Sequence, residues 1–313
     1  MSAVPGPGTT MPPHCLPPRP ARAPSTFRMP PGAWDTHAHV IGGGPDLPFV
    51  GNRSYTPPSA SPDAYVAMLD RVGIAYGVVV AISVHGHDNR LIVDALKHHP
   101  TRLRGVVSID GSEPDDELLA LRDLGVCGIR LNEHFAGGAG ADRLHRLAER
   151  CRPLGWHLDL GLSGARLNEL APALRRLGIR LVIDHMGFCP AEQGIAHPDF
   201  VAVLGLAGLE DCWIKLSGGY RLTMQPGACP DIAPFVQALC RAAPSRVVWA
   251  SDWPNVALLD PARMPETGAQ LETLDQQLGQ RPGGAALLQA VLVDNPARLY
   301  GLPGTPAGDP QHP

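Results

Sequence analysis

The chain has 313 residues, of which 44% are hydrophobic and 18% charged, with a net charge of −4 when histidine is neutral. That length and composition allow one large soluble domain with a substantial core. No basic run marks a nucleic-acid surface and no apolar stretch is long enough to span a membrane, so neither partner is expected.

Residues 1–32 contain ten prolines and read as a disordered tail, because so much proline forbids regular structure. It also forbids the amphipathic helix of a transit peptide, and no signal-peptide core is present, so a cytoplasmic location is expected. Met11 and Met29 offer alternative starts ahead of the folded part. The domain is expected over residues 33–301, with a second loose tail over 302–313.

Short apolar runs then alternate with helical patterns. Strands are expected at Trp34–Val40, Tyr76–Ser83, Leu103–Ile109, Val126–Asn132, His157–Leu162, Arg180–His185, Cys212–Ser217 and Arg246–Ser251. Helices are expected at Pro62–Val72, Asp88–His98, Pro114–Leu124, Asp142–Leu154, Leu167–Leu177, Asp231–Ala242 and Gly284–Val293. Ser61 is placed to cap the first of these, and Gly125 and Gly178 to end two others. Eight β/α alternations with Val/Ile/Leu-rich strands predict an α/β fold, a (β/α)8 barrel. A doubly wound open sheet would carry a glycine-rich loop after its first strand, where this chain has His37-Ala38-His39.

The seven cysteines are odd in number and form no C-x-x-C pair, so they are expected as free thiols. In a parallel barrel the chemistry sits at the carboxyl ends of the strands. The polar residues fall there: His37 and His39 on the first strand, Ser83, His85 and His87 after the second, Arg130 and Asn132 on the fourth. Asp184 and His185 end the sixth, Lys215 and Ser217 the seventh, and Asp252 the eighth. Residues two apart on a strand face the same way, so His37 and His39 share the barrel mouth. Asp252, on the neighbouring eighth strand of a closed barrel, comes close to them. By the same parity Asp184 is expected outside the interior. Asp159 is expected inward but deep, and Lys215 pairs with Asp159 or Asp252 or acts in catalysis. His157 lies at the wrong end of its strand for a site.

The motifs Asp35-Thr36-His37-Ala38-His39, Asp184-His185-Met186-Gly187, Lys215-Leu216-Ser217-Gly218, Ser251-Asp252-Trp253-Pro254 and Asp294-Asn295-Pro296-Ala297-Arg298-Leu299-Tyr300 occur in this order between Trp34 and Tyr300. Arg53-Ser54-Tyr55-Thr56-Pro57 and the stretch from Ser83 to Arg90 add to them. This set resembles the amidohydrolase superfamily in its lactonase branch. The resemblance implies a hydrolase acting on a small carboxylated cyclic ester, within aromatic or sugar-acid catabolism. It implies Asp252 as acid/base and His37, His39 and His185 around the reacting carbonyl. Tyr55, Ser83, His85, Arg130 and Arg221 match positions that hold substrate. The branch's dicarboxylate lactonases carry an Arg where this chain has Phe188, another where it reads Glu133-His134-Phe135-Ala136, and a Tyr where Gly161 stands. A substrate with one carboxylate, or a sugar-acid lactone read by Ser83, His85 and Tyr55, is therefore expected.

Many superfamily members use metal, with a strand-5 His or a strand-4 Lys among the ligands. Strand 4 here ends in Arg130-Leu131-Asn132, and strand 5 in Gly161. No cofactor is expected. The alternative is one divalent ion, Zn or Mn, on His37, His39, His185 and Asp252, in a metal-dependent decarboxylase or amide hydrolase. An inactive binding barrel is a third reading, against which the presence of both His37/His39 and Asp252 speaks. The expected partner is the small-molecule substrate, with a homo-oligomer possible.

Overall fold

A computed structural model of the chain describes residues 11–225, 227 and 229–304. Eight parallel strands follow one another in chain order around a sheet. They are β1 (Trp34–Ala38), β2 (Tyr76–Val80), β3 (Leu103–Val107), β4 (Val126–Asn132), β5 (His157–Gly161), β6 (Leu181–Ile183), β7 (Cys212–Leu216) and β8 (Val247–Trp249). The loop after β8 closes the barrel against β1. The His39 amide donates to the Trp253 carbonyl at 2.8 Å and the Asp252 amide to the His37 carbonyl at 3.0 Å. The fold is the (β/α)8 barrel that the alternation predicts.

Each expected strand is present, most with one to three residues fewer at their ends, because the polar terminal residues leave the ladder to face the mouth. The helix Pro62–Val72 has the expected bounds. The Ser61 hydroxyl accepts from the Ala64 amide at 3.1 Å, and Gly73 ends the helix at φ 81°, as capping chemistry requires. Helices at Pro198–Ala207 and Thr267–Leu274 were not anticipated. The first is apolar enough to hide its period, although Pro198 at its first position is a legible start signal.

Inside the barrel, β1 breaks its alternation with a register shift between Asp35 and Ala38. Asp35 turns away and binds the Ser251 amide at 2.8 Å and the Tyr65 hydroxyl at 3.1 Å. Irregularities of this kind re-aim side chains beside active sites. The floor is apolar: Trp34 and Tyr300 stack at 6.0 Å and Tyr300 meets the buried His157 ring at 5.5 Å.

The proline-rich segment behaves differently from the expected tail. Residues 1–10 and 305–313 lie outside the described residues, but 12–25 lie along the domain and bond to it. Proline lacks a donor yet keeps its carbonyl, and those of Pro12 and Pro13 accept from Thr56. At the other end, Arg104 binds the Leu302 carbonyl. All seven cysteines are free thiols. Among the described residues no helix is long and apolar enough to cross a membrane.

Candidate active site

The strand ends converge on a small cavity of about 250 Å3 at the barrel mouth. His39, Tyr55, Ser83, Arg130, His185, Arg221 and Asp252 line it, and His37 lies directly beneath. His85 is buried but does not line the cavity, and its ring packs on Phe49 at 5.4 Å.

The four central residues are brought together. Asp252 Oδ1 lies 4.0 Å from His37 Nε2, 3.8 Å from His39 Nε2 and 3.9 Å from His185 Nε2. His185 gets there by an unusual backbone. β6 ends at Ile183, and His185, Met186, Gly187 and Phe188 all have φ between 46° and 73°. Non-glycine residues at positive φ cost of order 1–3 kcal/mol each and persist only where surrounding structure imposes them. Asp252 itself has φ 58°.

This turn also overrides the parity argument for Asp184, which points into the barrel. It is fully buried, 3.1 Å from His37 Nδ1, 3.1 Å from Arg130 and 3.0 Å from Lys215. The strand's inward parity falls on Asp184, and the left-handed turn then carries His185 inward as well. Lys215 pairs with Asp159 and Asp184, and Asp252 is not among its partners. Gly218 is required beside this cluster: its φ is 64° and a Cβ would sit 3.0 Å from the His185 ring.

A hydrogen-bond partner fixes the tautomer of His39, since a carbonyl only accepts. His39 Nδ1 faces the Val80 carbonyl at 2.8 Å, so it carries the proton and Nε2 bears the lone pair. Arg130 meets His37 Nε2 at 3.0 Å, while His37 Nδ1 lies 2.9 Å from the Lys215 ammonium and 3.1 Å from Asp184, so cationic donors reach both ring nitrogens of His37. His185 Nδ1 meets the Ser217 hydroxyl at 2.7 Å, which can donate and leave a proton on Nε2. Burial holds the three rings neutral. His37 is driven far below its ordinary pKa by desolvation and the nearby Lys215 and Arg130 cations, despite Asp184. His39 falls to about 3 and His185 to about 4, again chiefly by burial.

Asp252 is the opposite case. Burial pushes its pKa up, but the Arg221 guanidinium beside it outweighs that and holds it well below the carboxylate range. Arg221 Nε donates to Oδ2 at 2.7 Å, and the Tyr220 hydroxyl to the same oxygen at 2.6 Å. Tyr220 carries no signal in the sequence, since its role follows from the short helix Gly219–Leu222 that also presents Arg221. Around the rim, His134 stacks on Phe188 with centroids 3.7 Å apart, and Phe135 meets Tyr55 edge-on at 5.2 Å.

The donor atoms match a divalent ion in kind, and the facing lone pairs of His37 and His39, 3.3 Å apart, are a feature a cation would relieve. The surrounding charges do not match. Arg130 already occupies the His37 lone pair, and Arg130, Arg221 and Lys215 balance Asp159, Asp184 and Asp252. A dication would leave two uncompensated positive charges in a buried site. His37, His185 and Asp252 each offer a ligand atom within 4.8 Å of one another and so could hold an ion, with the Arg130 guanidinium standing against it.

A parallel barrel with His-x-His on its first strand and an Asp after its eighth defines a hydrolase-type site at the strand ends. Residues 34–302 match the amidohydrolase family, Amidohydro_2, and the chain belongs to it. It is 35% identical over 293 residues to the 4-sulfomuconolactone hydrolase of Rhizobium radiobacter, covering 93% of this chain and 97% of that one. It is 35% identical over 285 residues to the 2-pyrone-4,6-dicarboxylate hydrolase of Comamonas testosteroni, covering 88% and 92%. A Pseudomonas putida structure assigned to 2-pyrone-4,6-dicarboxylic acid hydrolase superposes with a TM-score of 0.74 at 34% identity, covering 88% of this chain and 99% of that one.

Proposed function

We propose that the protein hydrolyses a small anionic lactone, with Asp252 as the acid/base group. The observation that carries this reading is the Asp252–Arg221 pair inside the cavity, one ionised carboxylate held by one guanidinium at 2.7 Å. The relatives' named substrates are lactones bearing carboxylate or sulfonate groups, which supports the same chemistry here.

The substrate's anionic group competes for Arg221. As it draws the guanidinium away, Asp252 loses its strongest stabilising partner and becomes a better base as the ester arrives. Asp252 Oδ1 takes a proton from water, and the water oxygen bonds to the lactone carbonyl carbon. Negative charge moves onto the carbonyl oxygen, where Arg130 and the Nε2 proton of His185 stabilise it. The ring C–O bond then breaks, and Asp252 returns its proton to the leaving oxygen. The new carboxylic acid ionises, releasing one proton per turnover.

The roles of the imidazoles therefore differ from those the resemblance implies. Neutral His39 spends its single proton on the Val80 carbonyl, and the ring nitrogens of His37 are met by Lys215 and Arg130. The two rings orient the water and Arg130, leaving polarisation of the carbonyl to His185 and Arg130.

The substrate we infer carries one anionic group on its ring, or is a sugar-acid lactone. Phe188 under His134 makes one rim apolar, which disfavours a second charge there. No step requires a metal. The reading is tested by proton release from a lactone panel with wild-type protein and Asp252→Asn.

A further inference from the structure

The proline-rich segment carries contacts that neither the fold nor the chemistry requires. Two loops each contribute a wall to the cavity: the one after β1 through Tyr55 and the one after β8 through Val256. Residues 12–16 lie between them and bond to both. On one side the Thr56 amide donates to the Pro13 carbonyl at 2.8 Å and the Cys15 amide to the Thr56 carbonyl at 2.9 Å. The Thr56 hydroxyl adds a bond to the Pro12 carbonyl at 3.3 Å. On the other side the Leu16 amide donates to the Leu258 carbonyl at 3.1 Å, and the Ala257 amide to the Cys15 thiol sulfur at 3.2 Å.

Every one of these partners is within two residues of a cavity-lining side chain. The loop after β8 needs such support. Asn255 and Ala257 sit at φ 62° and 60°, conformations that persist only when neighbouring contacts impose them. The segment is itself held further along: Arg22 grips both oxygens of Glu272 at 2.7 and 2.8 Å, and the Ser25 amide and hydroxyl each bind Glu272 at 2.7 Å.

We propose that residues 12–16 are a strap that completes the active site by fixing Tyr55 and Val256 as its outer wall. The strap acts on substrate binding and leaves the Asp252 chemistry intact. This rests on the proposed lactonase reading only for its kinetic test.

Deleting residues 2–16 leaves the barrel and the Arg22–Glu272 anchor in place. The expected result is a KM raised about tenfold, from loss of an ordered wall, with kcat within about threefold of wild type. An unchanged KM, or a loss confined to kcat, overturns the proposal. A second measurement needs neither turnover nor a variant: hydrogen exchange of the intact protein read by mass spectrometry. Amides of 15–16, 56 and 257 are expected to exchange together, as one opening unit. Rapid exchange at 15–16 with 56 and 257 still protected would show that the loops stand without the strap, and would also overturn it.

Discussion

Replacing Arg221 with Met tests the electrostatic core of the mechanism. Arg221 touches Asp252 at 2.7 Å within a buried site. Two unit charges about 4 Å apart at an effective dielectric of ~20 interact by about 4 kcal/mol, and ~1.36 kcal/mol corresponds to one pH unit. Removing the guanidinium therefore raises the pKa of Asp252 by up to about 3 units, in the same direction as its burial. The base works only when ionised, so activity is lost as pH falls through its pKa. In the wild type that pKa lies below the usual carboxylate value, and kcat/KM has no limb from Asp252 above about pH 4. In Arg221→Met the acid limb is expected to move up by as much as about 3 units, toward the ordinary carboxylate range and the low end of the assayed pH. The assay is kcat/KM between about pH 3.5 and 9, which reports groups of the free enzyme. Superimposable acid limbs in the two proteins would refute the claim that Arg221 sets the basicity of Asp252.

Two further outcomes follow from the same charges. Protein purified without added metal is expected to hold well under one equivalent of Zn or Mn and to keep its activity in chelator, because Arg130 holds the His37 lone pair; stoichiometric metal with activity lost on chelation would favour the metal-dependent alternative. Lys215→Met removes the cation paired with Asp159 and leaves Asp184 to Arg130 in a fully buried site, so it is expected to cost about 3–5 kcal/mol and lower Tm by roughly 10 °C; thermal unfolding within about 2 °C of wild type would contradict that.

Most of the barrel was legible because each strand is a short apolar run between helix caps. The convergence of His37, His39, His185 and Asp252 was legible too, from their positions at strand ends. Asp184 was misplaced because parity counting assumes that the strand continues through His185. It stops at Ile183, and nothing in His-Met-Gly-Phe announces four residues at positive φ, since histidine, methionine and phenylalanine rarely adopt it. The partners of Lys215 were left open for a related reason: pairing inside a barrel depends on depth, which sequence spacing gives only coarsely. The strap was read as a tail because proline's missing donor was weighed and its carbonyl was not. Its partners, Thr56, Leu258 and Glu272, lie too far along the chain for local patterns to reveal.

The most direct test of the account is proton release from anionic lactones at neutral pH by the wild type and Asp252→Asn. The wild type is expected to open a lactone bearing one carboxylate or sulfonate in preference to a dicarboxylate. The Asn variant, folded but unable to take the water's proton, is expected to retain less than about 1% of that rate, since a positioned base contributes ~100-fold or more. Turnover by Asp252→Asn above about a tenth of wild type, or no lactone opened by the wild type at all, would contradict the account.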